Sequence, residues 1–380
     1  MSKKRTIALT ISAIAVALGI GAQFYTNHKI DQVLKNFPYT LDNQATLNVT
    51  QTAKNFFIRE LIFSVKNSDS KNTSVISTKL TALPFFITAE SQLSEQLVRQ
   101  LNKTLNITID KNTINSKFSP VGDYLQSDIL TEFRDFANKP QNLSIGLNFL
   151  KNKEVELKTT LSGFNYDKDT KLEEIDGEAR LRPVGANQYD LSSIDLTAKN
   201  AEVALLNGEN THVYMKNATY HFDVKPGEAD KRDLSTKFSS DILRIANKSR
   251  TTEESQATAG GLNLLVKQNG VPSAVNFHHE FKKLSDGSLD IKDGVNLLTK
   301  IFTQNDRFDG LLSVLSVNVP KNNQPYFNLQ NAGLELKLAN TDLTKANVDF
   351  KLNVESVKQT PADEDRKWEA KGGKVNIQLD

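Results

Sequence analysis

The side chains through which this chain could bind a metal or transfer protons are few, and its five histidines are the first to consider. Two of them meet a carboxylate in "VNFHHEF", at His278, His279 and Glu280. Successive side chains of a strand point to opposite faces, so only His278 and Glu280 would face the same way, whereas a structural zinc site needs four ligands. His212 and His221 stand alone and fit solvated strand positions. The histidines therefore predict no metal site.

Two short motifs begin like known sites and then depart from them. "DKDTKLEEID" (Asp167–Asp176) has carboxylates at the first and third positions of a calcium loop, but Lys171 replaces the fifth ligand and Leu172 the turn glycine. Ser68 and Lys71 have the Ser-x-x-Lys spacing of some acylating enzymes, yet they lie in a polar turn without a second base or an oxyanion element. With no cysteine and no glycine-rich phosphate loop, the sequence predicts a protein that is not an enzyme and needs no cofactor.

Composition narrows the class further. The chain has 47 Lys and Arg against 45 Asp and Glu, which gives a formal charge of +2. A body so close to neutral lacks the basic surface of a nucleic-acid-binding protein. A hydrophobic fraction of 38% with 24% charged residues is typical of a globular protein, and 380 residues suffice for one large or two ordinary domains.

The N-terminus resembles a membrane anchor. After a basic tail over residues 1–6, no charged residue occurs between Ile7 and Tyr25. As a helix this segment would span about 30 Å, which is the thickness of one hydrocarbon core. It predicts a transmembrane anchor over residues 7–25. The alternative is a signal peptide that is cut off, since small residues near the end of the segment suit a signal peptidase.

An amphipathic helix is predicted directly after the anchor, over residues 26–40. Its apolar residues recur at helical spacing, and Pro38 ends the pattern. A continuous helix leaving the bilayer favours an anchor that is retained. The apolar residues of this helix are Ile30, Val33, Leu34 and Phe37.

Charge around the anchor predicts its orientation and its interface. Basic residues favour the cytoplasmic side, so the N-terminus is expected in the cytoplasm and residues 26–380 outside it, with the β-rich body over residues 41–380. Aromatic and basic side chains on either side of the span are expected at the membrane surface. The residues predicted to lie at this interface are Lys3, Lys4, Arg5, Tyr25, His28 and Lys29.

Beyond Pro38, alternation of apolar and polar residues with a period of two dominates the sequence. "KANVDFKLNVES" and "GLELKL" show it most clearly and read as adjacent antiparallel strands joined by a turn. The same pattern recurs at residues 105–109, 145–149, 194–198, 218–224 and 375–379. These runs predict a mainly β fold, with a large antiparallel sheet or sheets that are curved or form a groove.

Helical patterns are fewer. "DYLQSDILTEFRDFANKP" has Leu125, Ile129, Phe133 and Phe136 at helical spacing and predicts a helix that ends before Pro140. "SEQLVRQLNK" and "VNLLTKIF" fit either a helix or a strand. No strict repeat is evident, and a polar stretch favours a subdivision of the body near residues 225–260.

The apolar sides of the strands must be covered by helices, by a second sheet, or by a ligand or partner. A closed core and an open apolar groove both fit the pattern. For the groove, the side chains expected to line it are Tyr220, Phe222, Val224, Leu334, Leu336, Leu338, Val348, Phe350, Leu352 and Val354.

The N-terminal order resembles the YdgA family of bacterial inner-membrane proteins, a domain of unknown function. An apolar span ends in "GAQFYTNHKID", and "NVTQTAKNFFIRELIFSVKN" follows it, although "FIRELIFSV" stands where the family has a glycine and paired serines. The resemblance implies a single-pass anchor, a periplasmic body and no assigned catalytic residue. The matching residues are Gly21, Tyr25, Lys29, Ile30, Phe56, Phe57 and Ser64.

The architecture is also similar to that of AsmA-type envelope proteins, in which an anchored β-sheet groove is thought to handle lipids. These patterns together predict a membrane-anchored periplasmic protein that holds phospholipid or another apolar ligand on its sheet. An assembly factor that binds envelope proteins or a second copy of itself is the alternative. An envelope hydrolase, built around His278 and Glu280, is a third.

Overall fold

The computed structural model describes residues 22–40, 45–67, 73–120, 124–150, 152–185, 188–204, 211–228, 230–247, 255–272, 305–321, 324–339, 347–359 and 368–379. These residues form two helices, α1 over residues 22–34 and α2 over Glu95–Leu105, and 18 strands that belong to one antiparallel sheet. The predicted mainly β, antiparallel class is therefore confirmed.

The chain divides into two compact units. The first unit contains Met1–Lys168 and Leu181–Tyr189, and the second contains Asp169–Arg180 and Asp190–Asp380. The predicted subdivision near residues 225–260 falls inside the second unit.

The first unit contains both helices and a meander of strands in which each strand pairs with the next. Burial alternates along these strands: in β5, Ile87, Ala89 and Ser91 are buried while Glu90 and Gln92 are exposed. The strands are β1 Tyr39–Thr40, β2 Ala45–Lys54, β3 Ile58–Asn67, β4 Thr73–Leu83, β5 Phe86–Leu93, β6 Thr108–Ser119, β7 Tyr124–Arg134, β8 Pro140–Phe149 and β9 Val155–Asn165.

The second unit consists of longer strands, again paired in sequence order. Its residues 171–180 begin β10, which ends in the first unit. The strands are β10 Lys171–Gly185, β11 Gln188–Ala204, β12 Thr211–Pro226, β13 Lys231–Asn247, β14 Ser255–Pro272, β15 Arg307–Lys321, β16 Gln324–Ala339, β17 Asn347–Gln359 and β18 Trp368–Leu379. The hairpin predicted from "GLELKL" and "KANVDFKLNVES" is confirmed, because β16 pairs with β17 in antiparallel register.

The helix predicted in "DYLQSDILTEFRDFANKP" is wrong, because residues 124–134 form β7. Leu125, Ile129 and Phe133 are four residues apart. This spacing places them on one face of a helix, and because four is an even number it also places them on one face of a strand. Cross-strand pairing decides between them: Leu125 faces Phe149 and Ile129 faces Ile145 on β8. Tertiary pairing has overridden a local helical pattern here.

The structure resolves one ambiguity and corrects one prediction around residues 94–109. "SEQLVRQLNK" forms α2, whose N-cap Ser94 accepts a hydrogen bond from the Leu97 amide at 3.2 Å. Leu105, predicted in a strand, is instead the last residue of this helix, and β6 begins only at Thr108. "VNLLTKIF" lies outside the described residues.

A row of residues with a left-handed backbone conformation crosses the second unit, one on every second strand. We call it the left-handed row. Asn217 and Gly261 flank Asp241 on β13, Gly261 and Asn331 flank Leu315 on β15, and the row continues beside β17. Such residues interrupt the ladder and reset the alternation of side chains. The members of this row, each with positive φ, are Glu174, Asn217, Gly261, Asn331 and Gly372.

The row reveals a repeat that the sequence analysis missed. "VYMKNATYHFDV" in β12 and "FNLQNAGLELKL" in β16 share alternating apolar residues, then Asn-Ala, then alternating apolar residues shifted by one position. "ATAGGLNLLV" in β14 follows the same order with Gly261 at the turning point. Pairs of strands, rather than single strands, are the repeating unit.

Candidate functional site

The first unit contains an apolar pocket of about 630 Å³ between α1 and one face of β3–β7. Its floor comes from alternate residues of the strands, and its roof comes from α1 and Phe37. Such a volume lies within the usual 300–1,000 Å³ of small-molecule sites. The apolar lining residues are Ile30, Val33, Leu34, Phe37, Leu61, Phe63, Ile76, Leu80, Ile87, Ala89, Ile114, Phe118 and Leu125.

The roof is the amphipathic stripe predicted from the sequence. Ile30, Val33, Leu34 and Phe37 all line the pocket, although the helix itself ends at residue 34, before Phe37. Ile30 is only 6% exposed and packs in one cluster with buried side chains of β3, β4 and β5. The stripe therefore packs on the sheet at Ile30 and leaves a cavity beside it.

The few polar groups in the floor satisfy one another. The hydroxyls of Thr78 and Ser91 are 2.8 Å apart across β4 and β5, and those of Ser116 and Ser127 are also 2.8 Å apart. A hydroxyl that already has a partner has less need of a polar ligand. The pocket thus offers a ligand mainly dispersion contacts and removal of apolar surface from water.

A second, polar stripe of α1 fixes the helix to the turns of two hairpins. The Gln23 side-chain amide donates to the Phe56 carbonyl at 3.1 Å and to the Ala82 carbonyl at 2.9 Å. Thr26 accepts from the Phe85 amide at 3.0 Å, and Asn27 donates to the Phe56 carbonyl at 2.9 Å. These bonds bind backbone groups at the turns, so they hold the helix in one position over the sheet.

An ion pair completes this attachment. Arg59 of β3 is 1% exposed and contacts the Asp31 carboxylate, which also accepts from Lys54 at 3.1 Å. The same guanidinium donates to the Asn27 carbonyl at 3.2 Å. The Arg59 hydrogen bond, with Lys54, lowers the pKa of Asp31 below its ordinary value. The charged carboxylate therefore favours the docked helix.

One cation stands at the margin of the apolar pocket. Lys29 is among the lining residues, and its Nζ lies 5.6 Å from the centroid of the Tyr25 ring. A charge at the edge of an apolar pocket suits an amphiphile, whose acyl chain enters the pocket while its head stays near the surface.

In the second unit the predicted groove residues lie on one sheet face. The pairs run from Tyr220 through Phe238, Leu264 and Leu312 to Leu334 and Leu352, each opposite the next. Of the ten predicted residues, Val224 is buried and the other nine are half-buried. The described part of this unit contains no helix that could cover them.

The predicted chemical residues do not assemble into a site within the described ranges. His221 pairs through Nδ1 with Asp195 at 2.6 Å, as an exposed cross-strand contact. His212 is buried rather than solvated, 3.6 Å from Glu202. The described residues contain no group of three potential metal ligands. His278, His279, Glu280, Ser68 and Lys71 lie outside the described residues.

The predicted membrane segment is described only at its end. Lys3, Lys4, Arg5 and most of residues 7–25 lie outside the described residues. No helix within the described ranges is both long and apolar enough to cross a membrane. Of the predicted interface residues, Tyr25 and His28 are exposed on α1.

The sequence analysis missed the polar stripe that fastens α1. Gln23, Thr26, Asn27 and Asp31 recur at helical spacing, in the same way as the apolar stripe. A helix with two such stripes is expected to dock on a surface that is polar on one side and apolar on the other. The signal was present, but Arg59 as the buried partner could not be found without the strand register.

Comparison of the chain with protein-family models, with curated proteins and with solved structures finds no match. The resemblance to the YdgA family stays a prediction from the N-terminal residues.

Proposed function

We propose that this protein is a membrane-anchored binding protein of the bacterial cell envelope that holds the acyl chain of a lipid in the pocket beneath α1. The observation that carries the proposal is the apolar pocket of about 630 Å³ between α1 and β3–β7. At about 30 Å³ for each water-sized group, this volume has room for roughly twenty such groups, close to the carbon count of one long acyl chain.

Physical considerations favour an occupied pocket. The apolar lining of an open, empty pocket faces water, and an apolar chain that fills the pocket removes this surface from water and supplies dispersion partners. Water gains little there, because Thr78 and Ser91 already satisfy each other. An apolar chain restores the missing contacts without leaving a polar group unpaired.

The location is part of the same proposal. The uncharged run from Ile7 to Tyr25 continues into the first turn of α1, and the basic residues precede it, which favours an inner-membrane anchor with the body in the periplasm. A binding protein so anchored meets phospholipid at the bilayer from which its helix emerges. The half-buried apolar face of the second unit supports a wider role in contacting apolar ligands.

The test is native mass spectrometry of the full-length protein purified in mild detergent, with lipid extraction in parallel. We expect a mass increment of one phospholipid or fatty acid. Ala89→Phe places a ring in the pocket and should abolish the increment, because Ala89 lines the cavity. Thr88→Phe, on the same strand but facing away, is the matched control and should retain it.

Two results would contradict the proposal. One is a lipid-free wild-type protein with a stable partner or dimer, which favours the assembly factor. The other is equal lipid content in Ala89→Phe and Thr88→Phe, which would remove the pocket as the binding site.

A further inference from the structure

A cluster of exposed apolar side chains lies at one edge of the first unit. It comprises residues from the start of α1, from the β2–β3 turn and from the β4–β5 turn. Phe24 is 61% exposed, and the others are also exposed. We call this cluster the aromatic edge; its members are Phe24, Tyr25, Phe56, Phe57, Leu83 and Phe85.

The fold brings these turns to the same edge. In an antiparallel meander, alternate turns lie at the same end of the sheet, as the β2–β3, β4–β5 and β6–β7 turns do here. Ser119, at the end of β6, donates to the Phe85 carbonyl at 3.0 Å, which ties two of the turns together. Gln23 ties α1 to the β2–β3 turn through the Phe56 carbonyl and to the end of β4, beside the β4–β5 turn, through the Ala82 carbonyl.

The rings contact one another in two groups, Phe24 with Phe56 and Phe57, and Tyr25 with Phe85. The Phe24 and Phe56 centroids are 5.4 Å apart, those of Phe56 and Phe57 are 5.0 Å apart, and those of Tyr25 and Phe85 are 6.4 Å apart. Aromatic pairs at such distances stabilise one another. The cluster therefore presents a preformed apolar surface to whatever lies beyond the turns.

The residues of these turns are unusual for a surface in contact with water. Turns normally use Gly, Asn, Asp, Pro and Ser, whereas these two read "NFF" and "LPFF". No charged residue occurs from Asn55 to Ile58 or from Ala82 to Thr88. Apolar residues grouped at neighbouring turns form a patch, and such a patch is more typical of a surface that contacts a membrane or a partner than single exposed residues are.

Phe85 also has a backbone conformation that its side chain disfavours. Its φ is +60°, in the left-handed region that Gly and Asn adopt readily. A bulky residue there costs about 1–2 kcal/mol. Strain of this kind, maintained by an exposed ring, points to a function of the ring rather than to folding.

We infer that the aromatic edge inserts into the interfacial layer of a phospholipid bilayer. The uncharged run that begins at Ile7 extends to Tyr25 in the first turn of α1, so a membrane segment formed by its earlier residues would lead directly into the aromatic edge at Phe24 and Tyr25. Aromatic side chains concentrate at the membrane–water interface, where their rings meet the headgroup region. The inference rests on the proposed membrane anchoring and extends it from the helix to two hairpin turns.

This placement gives the pocket access to the bilayer. Lys29 lines the pocket and lies over the Tyr25 ring, so the pocket margin and the aromatic edge are adjacent on α1. An acyl chain could pass from the bilayer into the pocket without crossing water. The anionic headgroup would remain beside Lys29.

Tryptophan fluorescence in vesicles measures the contact directly. The chain has one tryptophan, so full-length Trp368→Phe provides a silent background. Phe85→Trp and Phe57→Trp report on the aromatic edge in vesicles that contain phospholipid brominated on its acyl chains. Phe136→Trp is the matched control, because Phe136 and Phe57 are both 50% exposed and Phe136 follows β7, at the opposite end of the sheet.

We expect bromolipid to quench the tryptophans at positions 85 and 57 about twofold more than the one at position 136. In the Phe57→Trp reporter, Phe85→Asn should reduce quenching while the melting temperature stays the same or rises, since Asn tolerates the left-handed conformation. Loss of quenching therefore cannot be ascribed to unfolding.

Quenching at positions 85 and 57 no greater than at position 136 would overturn the inference. If the protein still floats with the vesicles, this result leaves the proposed anchoring intact. If it does not float, both fail. Quenching without a lipid increment in the mass spectrum would instead remove the acyl-binding proposal alone.

Discussion

In the first unit, α1 covers the apolar face of β3–β7 and leaves a cavity of about 630 Å³ beneath it. The second unit has an apolar face built from the same alternation, but its described residues include no helix, and most of its apolar side chains are half-buried. The same strand pattern thus has two outcomes. Strands of both units present an apolar face, and the pocket of defined volume described here forms where a helix covers that face.

Buried apolar side chains are also distributed differently in the two units. In the first unit, Ile30 joins Leu61, Leu80 and Ile87 in one buried cluster. In the second, Val224, Leu234 and Val271 form a smaller cluster. A covering helix concentrates apolar burial in one place, so single substitutions there should cost more than on the uncovered face.

The largest expected effect comes from truncating the helix contact. Ile30→Ala should lower the free energy of unfolding by about 3 kcal/mol, since Ile30 is nearly fully buried. Leu336→Ala, on the half-buried face of the second unit, should cost about half as much. Chemical denaturation of the two full-length variants measures both. Equal costs would contradict the distinction between a covered and an uncovered face.

Next in size is the ion pair that fastens α1. Asp31→Asn leaves the buried Arg59 without its carboxylate and should cost about 2 kcal/mol, less than the 3–5 kcal/mol of a fully buried pair, because Asp31 is 38% exposed. Glu335→Gln, which removes solvated pairs with Lys337 and Lys351, is the matched change in the second unit. It should have no measurable effect on unfolding.

Low pH should weaken the contact between Asp31 and Arg59. The pKa of Asp31 is lowered in the folded protein, so its stabilisation is present above the ordinary value of about 4 and is lost as pH falls through the lower, folded value. The protection of α1 amides against hydrogen exchange, relative to their intrinsic exchange rate at each pH, should therefore fall below about pH 4 in the wild type. An equal fall in Asp31→Asn would show that another group is responsible.

The smallest effect tests the left-handed row of the second unit. Gly372 has φ of +69° with open space around an added Cβ, so Gly372→Ala should cost about 1 kcal/mol through backbone strain alone. Gly373→Ala makes the same chemical change next to it, at ordinary φ and in ordinary contact with Val354, and should be neutral or slightly stabilising. Thermal melts compare them. If the two variants melt alike, the row has no energetic role.

Sequence periodicity was enough to predict the fold class, the β16–β17 hairpin and the apolar stripe of α1, because each depends on side chains close in the chain. The stripe consists of Ile30, Val33, Leu34 and Phe37. β7 was predicted wrongly because a spacing of four fits both a helix and a strand. The cavity itself depends on the register of β3–β7, which fixes which alternate residues face α1.

The aromatic edge could not be predicted from the sequence either. Phe56 and Phe85 are far apart in sequence, and only pairing of the meander brings their turns together. The left-handed row could have been found earlier, since Asn331 and Asn217 sit in similar segments. It was missed because alternation was read strand by strand.

The central claim is that an acyl chain occupies the pocket beneath α1, and photocrosslinking tests it most directly. Full-length protein in vesicles is irradiated with a phospholipid that carries a diazirine on its acyl chain, and the labelled peptides are sequenced. We predict labels on the lining residues of the pocket floor, which include Leu61, Phe63, Ile76, Leu80, Ile87, Ala89, Ile114 and Phe118. Labels confined to β12, β16 and β17, or no labelling of the body, would contradict the account.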